Sequence, residues 1–595
     1  MIRPLRRNPS HHESTIASDT AALGSIGLPE GGPQIASRNG VWLAHYGLIV
    51  DDAFTAELLL GAHGPPDDYG TPARLLLDRF LRDGVAAVRG LNGVYALAVW
   101  EEEPQRLTLL LDRLSYFNLY YWQSPEGLMF GSEIKSIAWH PRFNRDVDPA
   151  AVADLFLHFS PMEERTLFCD IRSLPPAGIL TYERGQIRVG SYWQPSFAGQ
   201  RDARDDRQYA DGLAERMQRS LARRARASTG LLITGGLDSR VVAEMYCATA
   251  PETDLITSTI SVPGGEDLVY GKKVARALGL PHEHILIGTD YLQQFASPIT
   301  RSAEGKIGAH ASWIMAQGQF LQQHGLRFAM TGLFGNFISG RHYSHEIHKA
   351  ASFAEGRQHA NSYLKQNLAG LREVMRPEIY REAALYSADM PGRMFDISGT
   401  ADARQAFDYM LIHSRIARGG HTSDALGDFA LPLEPFLDND VLDYALSEIP
   451  SQVRERSLFY LHLIIRHLSR VSAVPYARTG YPIPLDLRIR QVPLLHHADD
   501  LRRRALRRLF PTRYDKERRG SIPQAGAFRE GSQAFARRVL ARSDLLGDLF
   551  DMHAVSCLLE DHLARRRTAY FTLSHVLTVA LWREQFCEGI NDPVH

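Results

Sequence analysis

Residues 230–249 read GLLITGGLDSRVVAEMYCAT, and this stretch decides the fold of the chain. The apolar run at 230–233 predicts a buried strand, and 241–249 has the pattern of a helix. Between them lies a glycine-rich loop, TGGLDSR, at 234–240. A glycine pair in this position lets backbone N–H groups approach a phosphate, and the start of the helix favours negative charge. The stretch therefore predicts a nucleotide-phosphate site.

Asp238 has a separate expected role in this loop. A carboxylate repels phosphate, so its expected use is to hold Mg²⁺ against the phosphates of a nucleotide. The simpler interpretation is a glycine turn in which Asp238 or Ser239 caps the helix. We favour the nucleotide site because the loop sequence and the strand–loop–helix context agree.

The alternation of strand and helix continues beyond this stretch. A second strand at 255–261 precedes a helical 267–278, and 283–287 has the pattern of a third strand. Such alternation predicts a parallel, doubly wound α/β sheet with ligands outside the carboxyl ends of its strands. The remainder is mostly helical by periodicity, with amphipathic stretches at 501–509 and 569–586.

The first third of the chain has a different pattern. Residues 1–38 are rich in Ser, Gly, Pro and His and show no hydrophobic period, so we expect a disordered leader. Short β-type runs around a helical segment at 71–82 predict an all-β or layered αββα domain over 39–195. The runs lie at 41–48, 93–100, 106–111, 119–122, 128–130 and 178–182. A polar linker at 200–206 leads into a second domain over 205–595.

Charge and composition exclude several classes of protein. The 67 basic and 68 acidic residues give a net charge of −1, which removes the main argument for a nucleic-acid or membrane-surface partner. No apolar run reaches the roughly 20 residues that span a bilayer. The four cysteines are isolated, with no CxxC pair, which argues against a disulfide framework or zinc site and fits a cytoplasmic location.

Further motifs follow one another along the chain. They are LNGVYALAVW at 91–100, LDRLSYFNLYYW at 111–122, FGSEIKSI at 130–137, TLFCDIRSLPPAG at 166–178 and PFLD at 435–438. Together with TGGLDSR, this series resembles the asparagine synthetase superfamily. The resemblance implies an amino-terminal, Ntn-hydrolase-like glutaminase-type αββα domain. It also implies an ATP-pyrophosphatase-type second domain that uses ATP and Mg²⁺ to activate a carboxylate as an acyl-adenylate.

The resemblance also implies which residues bind the nucleotide. The family's contacts fall on Ile233, Thr234, Gly235, Gly236, Leu237, Asp238, Ser239, Ile260, Thr331 and Gly332. Ile233 and Ile260 lie in predicted strands, so we expect their side chains in the core even where their backbones touch adenine. The implied Mg²⁺ ligands are Asp238 and, through its neutral carbonyl oxygen, Asn336.

The amino-terminal domain departs from the family at its nucleophile. Members that hydrolyse glutamine carry a cysteine directly after the initiator methionine, whose thiolate attacks and whose α-amino group is the base. Position 2 is Ile here, and the first cysteine is Cys169, which we expect to be a buried structural thiol. We therefore expect a folded domain without glutaminase activity.

The second domain departs from the family at its acidic groups. Where asparagine synthetases carry a G-E-G-x-D-E type loop, residues 332–337 read GLFGNF. Leu333 thus replaces the usual catalytic acid, and Asn336 replaces the second Mg²⁺-binding aspartate. The acidic position before PFLD is occupied by Leu431, with Glu434 nearby but out of register.

A basic residue is also expected near Gly480, where it would stabilise charge on pyrophosphate and the acyl-adenylate. Arg478 is the candidate catalytic residue, and the alternative is a solvated loop arginine. A separate arginine-rich segment at 502–519 could hold an acidic peptide or nucleic acid. The spacing of Leu501, Ala505 and Leu509 also describes a basic amphipathic helix packed on the domain, and we favour that solvated helix.

These departures favour an ATP-dependent ligase whose amine is already part of its substrate. The leading hypothesis is a peptide macrolactam cyclase of the lasso type. β-Lactam synthetases likewise use an amine that is already part of their substrate. Its partners would be a peptide or small-molecule carboxylate, a precursor peptide and its protease, with no nucleic acid and no membrane. Two alternatives stay open: an asparagine synthetase-related amidotransferase on a small acid, and a nucleotide-binding homologue without ligase chemistry.

Overall fold

The structure is a computed structural model that describes most of the chain. The described residues are 12–27, 34–61, 71–199, 203–252, 255–343, 347, 349–362, 365–416, 425–509 and 521–588. Sixteen strands within them form four sheets, and helices dominate the remainder.

The strands are numbered in chain order. They are β1 (His12–Ala17), β2 (Ala22–Gly27), β3 (Ile35–Arg38), β4 (Val41–Ile49), β5 (Gly93–Glu101), β6 (Arg106–Leu111), β7 (Tyr120–Ser124), β8 (Gly127–Gly131), β9 (Arg172–Ser173), β10 (Gly178–Glu183), β11 (Gln186–Ser191), β12 (Thr229–Leu232), β13 (Leu255–Ser261), β14 (His282–Leu286), β15 (Phe328–Met330) and β16 (Leu431–Leu433).

The first ten helices are numbered in the same way. They are α1 (Asp52–Gly61), α2 (Pro72–Asp83), α3 (Lys135–Ala138), α4 (Pro149–His158), α5 (Asp206–Arg223), α6 (Asp238–Thr249), α7 (Glu266–Leu278), α8 (Tyr291–Ala303), α9 (Met315–Gln323) and α10 (Gly335–Ile338). Later helices are Phe353–Ser362, Lys365–Val374, Pro377–Ala388, Met390–Asp396, Ala403–Leu411, Asn439–Asp443, Ser451–Arg456, Leu458–His467, Ser469–Ser472, Ile483–Gln491, Pro493–Leu509, Gln524–Arg529, Gln533–Leu540, Ser543–Leu546, Met552–Leu563 and Tyr570–Arg583.

The amino-terminal domain has the expected αββα layers. Its antiparallel six-stranded sheet has the order β11-β10-β6-β5-β4-β3, and the three-stranded sheet has the order β8-β7-β9. Helix α2, capped by the Thr71 hydroxyl, packs its apolar face against the outer side of the larger sheet. On β7, Tyr121 packs between the sheets, whereas Tyr120 and Trp122 join the core that contains α4. Because successive side chains of β7 point to opposite faces of its sheet, the strand contributes to both of these cores.

The prediction of a disordered leader over 1–38 is wrong for the part that the structure describes. Strands β1 and β2 form an antiparallel hairpin, and β3 pairs with β4 at the edge of the six-stranded sheet. Leu23 of β2 is buried with the residues between the two sheets. The missing hydrophobic period misled the prediction, because a hairpin that contributes few apolar side chains can still be held by backbone hydrogen bonds.

The second domain contains the expected parallel sheet, in the order β14-β13-β12-β15-β16. Strand β13 has the predicted bounds, and α6 begins at Asp238, before the predicted start at residue 241. The chain order reverses between β12 and β15. In open α/β sheets ligands bind outside the carboxyl ends at this switch point, so the fold points to the loops that follow β12 and β15.

The two domains share their cores. Val94, Leu114, Tyr116 and Phe117 of the first domain are buried in one cluster with residues of α5, α6 and the helix Leu458–His467. A second cluster joins α4 with the helix Tyr570–Arg583. The domains are therefore packed together by buried apolar side chains. The domain boundaries at 39–195 and 205–595 stay predictions.

The arginine-rich segment is only partly described. Its first residues lie in the helix Pro493–Leu509, where Leu501 and Leu509 are 51% and 70% exposed. The expectation that these leucines pack on the domain is therefore wrong, and the helix is confirmed as far as Leu509. Residues 510–520 lie outside the described residues. Across the described chain, no helix combines the length and apolar character that a bilayer crossing requires.

Candidate functional site

The residues assigned to the nucleotide meet at one edge of the parallel sheet. Ile233 follows β12, Ile260 lies near the end of β13, and Thr331 follows β15. The N–H of Ile233 donates to the carbonyl oxygen of Ser258 (2.8 Å), which continues the pairing of the two strands. The side chains of Ile233 and Ile260 are buried. Any contact they make with a nucleotide therefore involves their backbones, and the nucleotide role itself stays a prediction.

The glycine-rich loop is held by its own hydrogen bonds. The N–H of Thr234 donates to the Ser239 hydroxyl (3.1 Å), and that of Gly236 donates to the Thr234 hydroxyl (3.2 Å). The N–H of Gly235 donates to the carboxylate of Asp267 (2.9 Å) at the start of α7. Among the described residues, the N–H groups of Leu237, Asp238, Ser239 and Arg240 have no acceptor. These amides, rather than those of the glycines, are the donors that the loop offers to an anion.

Asp238 forms an ion pair that the sequence did not reveal. Oδ1 accepts a charged hydrogen bond from Arg341 and a second one from the Tyr460 hydroxyl (2.9 Å). The Arg341 guanidinium lies over the Tyr460 ring, 5.3 Å from its centroid. Arg341 is mostly buried, at 14% side-chain exposure. A fixed positive charge therefore stands beside the first turn of α6, where anionic phosphates would bind.

Two glycines allow the loop after β15 to pack against Asp238. A Cβ at position 332 would lie 2.5 Å from the backbone N of Ser239, and one at 335 would lie 2.5 Å from Cγ of Asp238. Contacts this short are not tolerated, so Gly332 allows two backbones to approach each other, and Gly335 leaves room for the Asp238 side chain. The loops after β12 and β15 are thus one packed unit.

The donor set suits Mg²⁺ only when phosphates supply most of its ligands. Both recorded contacts of the Asp238 carboxylate are on Oδ1, so Oδ2 is the oxygen that remains for a metal. The Asn336 side chain is exposed on α10. The described residues contain no group of three His, Cys, Asp or Glu placed to hold a metal ion. Mg²⁺ commonly binds through one or two protein oxygens together with substrate phosphates, and this arrangement fits that case.

Arg240 ties the glycine-rich loop to the segment that carries Arg478. Its buried guanidinium donates to the carbonyl oxygens of Gly236 (2.9 Å) and Val474 (2.8 Å), and burial lowers its pKa to about 10. The N–H of Ala477 donates to the carbonyl oxygen of Gly235 (3.3 Å). The exposed Arg478 is therefore adjacent to the predicted phosphate loop, while its catalytic role stays a prediction.

Glu434 is the buried acid of the site, although sequence register excluded it. It follows β16, is 2% exposed, and accepts hydrogen bonds from the hydroxyls of Thr331 (2.7 Å) and Tyr116 (3.2 Å). Burial raises the pKa of its carboxyl to about 7. Leu431 pairs with Phe328 inside the sheet. A carboxylate is thus present at this edge, three residues beyond the expected position.

A cavity of about 100 Å³ lies between the two sheets of the amino-terminal domain. Its lining includes Ser25 of β2, Tyr46 of β4, Ala96 of β5 and Phe130 of β8, and none of the four cysteines. The thiol of Cys169 is exposed, so the expectation of a buried thiol is wrong. The motif around it supplies the buried Phe168 and Ile171, while Cys169 itself faces away from the core. Ile2 lies outside the described residues.

The fold and site together define a two-domain protein with an αββα domain packed on a parallel α/β domain. Comparison with protein families agrees with both halves: residues 71–193 match the glutamine amidotransferase domain and residues 212–457 match the asparagine synthase family. The chain belongs to the asparagine synthetase superfamily.

The curated relatives are distant in sequence. Asparagine synthetase [glutamine-hydrolyzing] 3 of Bacillus subtilis is 24% identical over 257 residues, which are 40% of this chain and 42% of that protein. Asparagine synthetase [glutamine-hydrolyzing] 2 of the same organism is 27% identical over 256 residues, 40% of this chain and 34% of that one. The chain thus spans less than half the length of these relatives.

Among solved structures, the glutamine phosphoribosylpyrophosphate amidotransferase of B. subtilis matches 46% of this chain and 52% of its own. The sequence identity is 15% and the TM-score is 0.21, and so low a score carries no argument.

Proposed function

We propose that the protein is an ATP-dependent carbon–nitrogen ligase that activates a carboxylate as an acyl-adenylate. The observation that carries the proposal is the packed unit of the loops after β12 and β15. It places Asp238, Arg341 and the amides of residues 237–239 together at the switch point of the sheet. Family membership supports the same class of reaction.

In the proposed reaction, a carboxylate oxygen of the substrate bonds to the α-phosphorus of ATP and pyrophosphate leaves. An amine nitrogen then attacks the acyl carbon, AMP leaves, and the nitrogen loses a proton. The amides at the start of α6 and the Arg341 guanidinium would bind the phosphates, and Arg478 would stabilise the charge that develops as pyrophosphate departs. Mg²⁺ held by Asp238 and Asn336 would neutralise phosphate charge when bound.

For the substrate, we propose a peptide whose own amine attacks the activated side chain, giving a macrolactam. An internal amine needs no ammonia source. The absence of a cysteine from the cavity between the two sheets of the first domain supports this, because hydrolysis of glutamine by this family's chemistry needs a thiol there. The carboxylate, the amine, the precursor peptide and its protease, and a cytoplasmic location are parts of this proposal.

One competing function is nucleotide binding without a catalysed reaction. Leu333 and Leu431 stand where the family resemblance implies acidic groups, which favours this alternative, whereas the buried Glu434 beside Thr331 favours a working site. The amidotransferase alternative would use free ammonia or glutamine with a small acid.

The nucleotide products separate these functions. The test incubates the protein with Mg²⁺, ATP labelled at the α-phosphate, and separate pools of amino acids, sugar acids and acidic peptides with free amino termini, each with and without ammonia or glutamine. The cyclase predicts AMP and pyrophosphate with the peptide pool only, together with a peptide product lighter by one water. Turnover with a small acid plus ammonia or glutamine indicates the amidotransferase. ATP binding without AMP formation in every pool contradicts the ligase and leaves the non-catalytic homologue.

A further inference from the structure

A chain of buried hydrogen bonds joins the amino-terminal domain to the nucleotide site. The Tyr116 hydroxyl donates to Oε1 of Glu434 (3.2 Å), and the Thr331 hydroxyl donates to Oε2 (2.7 Å). We infer that Glu434 is a positioning residue for nucleotide binding, and that the first domain takes part in that binding through Tyr116. The inference rests on the proposed function, since it assumes that the loops after β12 and β15 bind a nucleotide.

On the nucleotide side, Thr331 transmits the position of Glu434 to the phosphate loop. Its hydroxyl accepts the N–H of Leu333 (3.0 Å) while donating to Glu434, so the carboxylate fixes the turn that follows β15. The next residue, Gly332, packs against the backbone of Asp238 and Ser239 at the start of α6. Because interiors are close-packed, a shift of the Thr331 turn must move the first turn of α6.

On the other side, a rigid turn holds Tyr116. The buried carboxylate of Asp112 accepts the N–H groups of Leu114 (3.0 Å) and Tyr116 (3.2 Å). The Tyr116 ring meets Phe117 edge to face, and both rings lie in the core shared by the two domains. The Tyr116 hydroxyl, which donates a hydrogen bond to Glu434, is therefore held in place by the amino-terminal domain. This gives the domain a use in the second domain's chemistry that does not depend on glutamine hydrolysis.

The charge on Glu434 decides whether this chain of hydrogen bonds is complete. An ionised carboxylate accepts a proton from each hydroxyl, whereas a protonated one carries a proton of its own, so that one of the two hydroxyls must turn and accept instead of donating. Besides Tyr116 and Thr331, the charged group that faces it is Arg224 of the α5 end, which is itself paired with Asp438 (2.6 Å). Burial raises the pKa of Glu434 to about 7, so the hydrogen-bond pattern changes near neutral pH.

The first test removes the Tyr116 hydroxyl and measures affinity for a non-hydrolysable ATP analogue with Mg²⁺ by calorimetry. Tyr444 is a matched control, because it is equally buried and its hydroxyl also donates one 3.2 Å hydrogen bond, to the carbonyl oxygen of Tyr209. Tyr116→Phe should weaken binding about fivefold, the cost of one hydrogen bond, while Tyr444→Phe leaves it unchanged. Equal affinities for the two variants overturn the inference.

The second test uses pH. The ratio of the Kd of Glu434→Gln to that of the wild type cancels the protonation of the nucleotide itself. We expect a ratio of about 5 at pH 8, where only the wild type accepts both hydroxyls, falling to about 1 at pH 6. A ratio that is constant with pH indicates a purely structural residue and overturns the inference. If the wild type does not bind the analogue, the proposed function itself fails at the first measurement, before any variant is compared.

Discussion

The predicted phosphate loop at 234–239 and the acidic edge formed by Thr331 and Glu434 differ in how far apart their residues lie in the sequence. Residues 234–239 are contiguous, and backbone N–H groups within them donate to the hydroxyls of Thr234 and Ser239. Thr331 and Glu434 are separated by 103 positions and meet only because β15 and β16 are neighbours. The comparison teaches that a contiguous loop can be found from a motif, whereas a group supplied by a neighbouring strand requires the sheet order.

The largest expected effect is at the contiguous loop, from Asp238→Ala. The variant loses the carboxylate for Mg²⁺ and the partner of Arg341, so pyrophosphate release should fall by about 10³-fold. The increase in ATP affinity on adding Mg²⁺ should also disappear. Asp211→Ala is the control, since Asp211 is a half-buried aspartate whose ion pairs with Arg466 and His467 lie in the same domain. Wild-type Mg²⁺ dependence in Asp238→Ala would show that the loop is only a turn.

A smaller effect is expected from Arg478→Ala, which tests the segment tied to the loop by Arg240. Removal of one charge-stabilising group should lower pyrophosphate release by about 10²-fold and leave ATP affinity nearly unchanged. Arg488→Ala, at an exposed arginine on the next helix, provides the control. If both variants behave alike, Arg478 is a solvated loop residue and the chemistry is confined to the loops after β12 and β15.

The smallest effect concerns the stability of the acidic edge. The pKa of Glu434 is raised to about 7 in the folded protein from an ordinary value of 4.5, so folding favours its protonated form. Its stabilising contribution is therefore present at pH 4 and is lost as the pH rises through 7.

Glu434→Gln stays neutral at every pH and avoids this loss. The Tm of the variant minus that of the wild type should thus increase between pH 5 and pH 8, by on the order of 2 °C. The pKa of Asp112 is also raised to about 7 by burial, but Asp112 is present in both proteins and cancels in the difference. A difference that is constant with pH contradicts the assignment. Stability and nucleotide affinity should therefore respond to this variant in opposite directions at pH 8, which separates a positioning role from a general loss of folding.

The sequence predicted those parts of the fold that are encoded locally. Strand β13 has the predicted bounds, and the αββα and doubly wound arrangements are confirmed. Arg341 could not be predicted as a partner of Asp238, because the residues between them form three more strands of the sheet. The hairpin of β1 and β2 was missed because the few apolar side chains of these short strands do not form a regular hydrophobic period.

Glu434 shows a different kind of limit. The expected acidic position was counted back along the chain from PFLD, and Leu431 at that position belongs to a strand of three residues. Immediately beyond so short a strand the backbone leaves the sheet, so a carboxylate three positions later can reach the same neighbour. Counting positions along the chain therefore identified Leu431, whereas the structure shows that the Thr331 hydroxyl donates to Glu434.

The core shared by the two domains also has a consequence for synthesis. Val94, Leu114 and Phe117 are buried against segments as distant as the helix Leu458–His467. During translation these side chains leave the ribosome long before their partners exist, and the first domain then exposes an apolar face to water. We expect that nascent chains ending near residue 199 bind chaperones or aggregate, and that this surface closes only after the helix Leu458–His467 has been made.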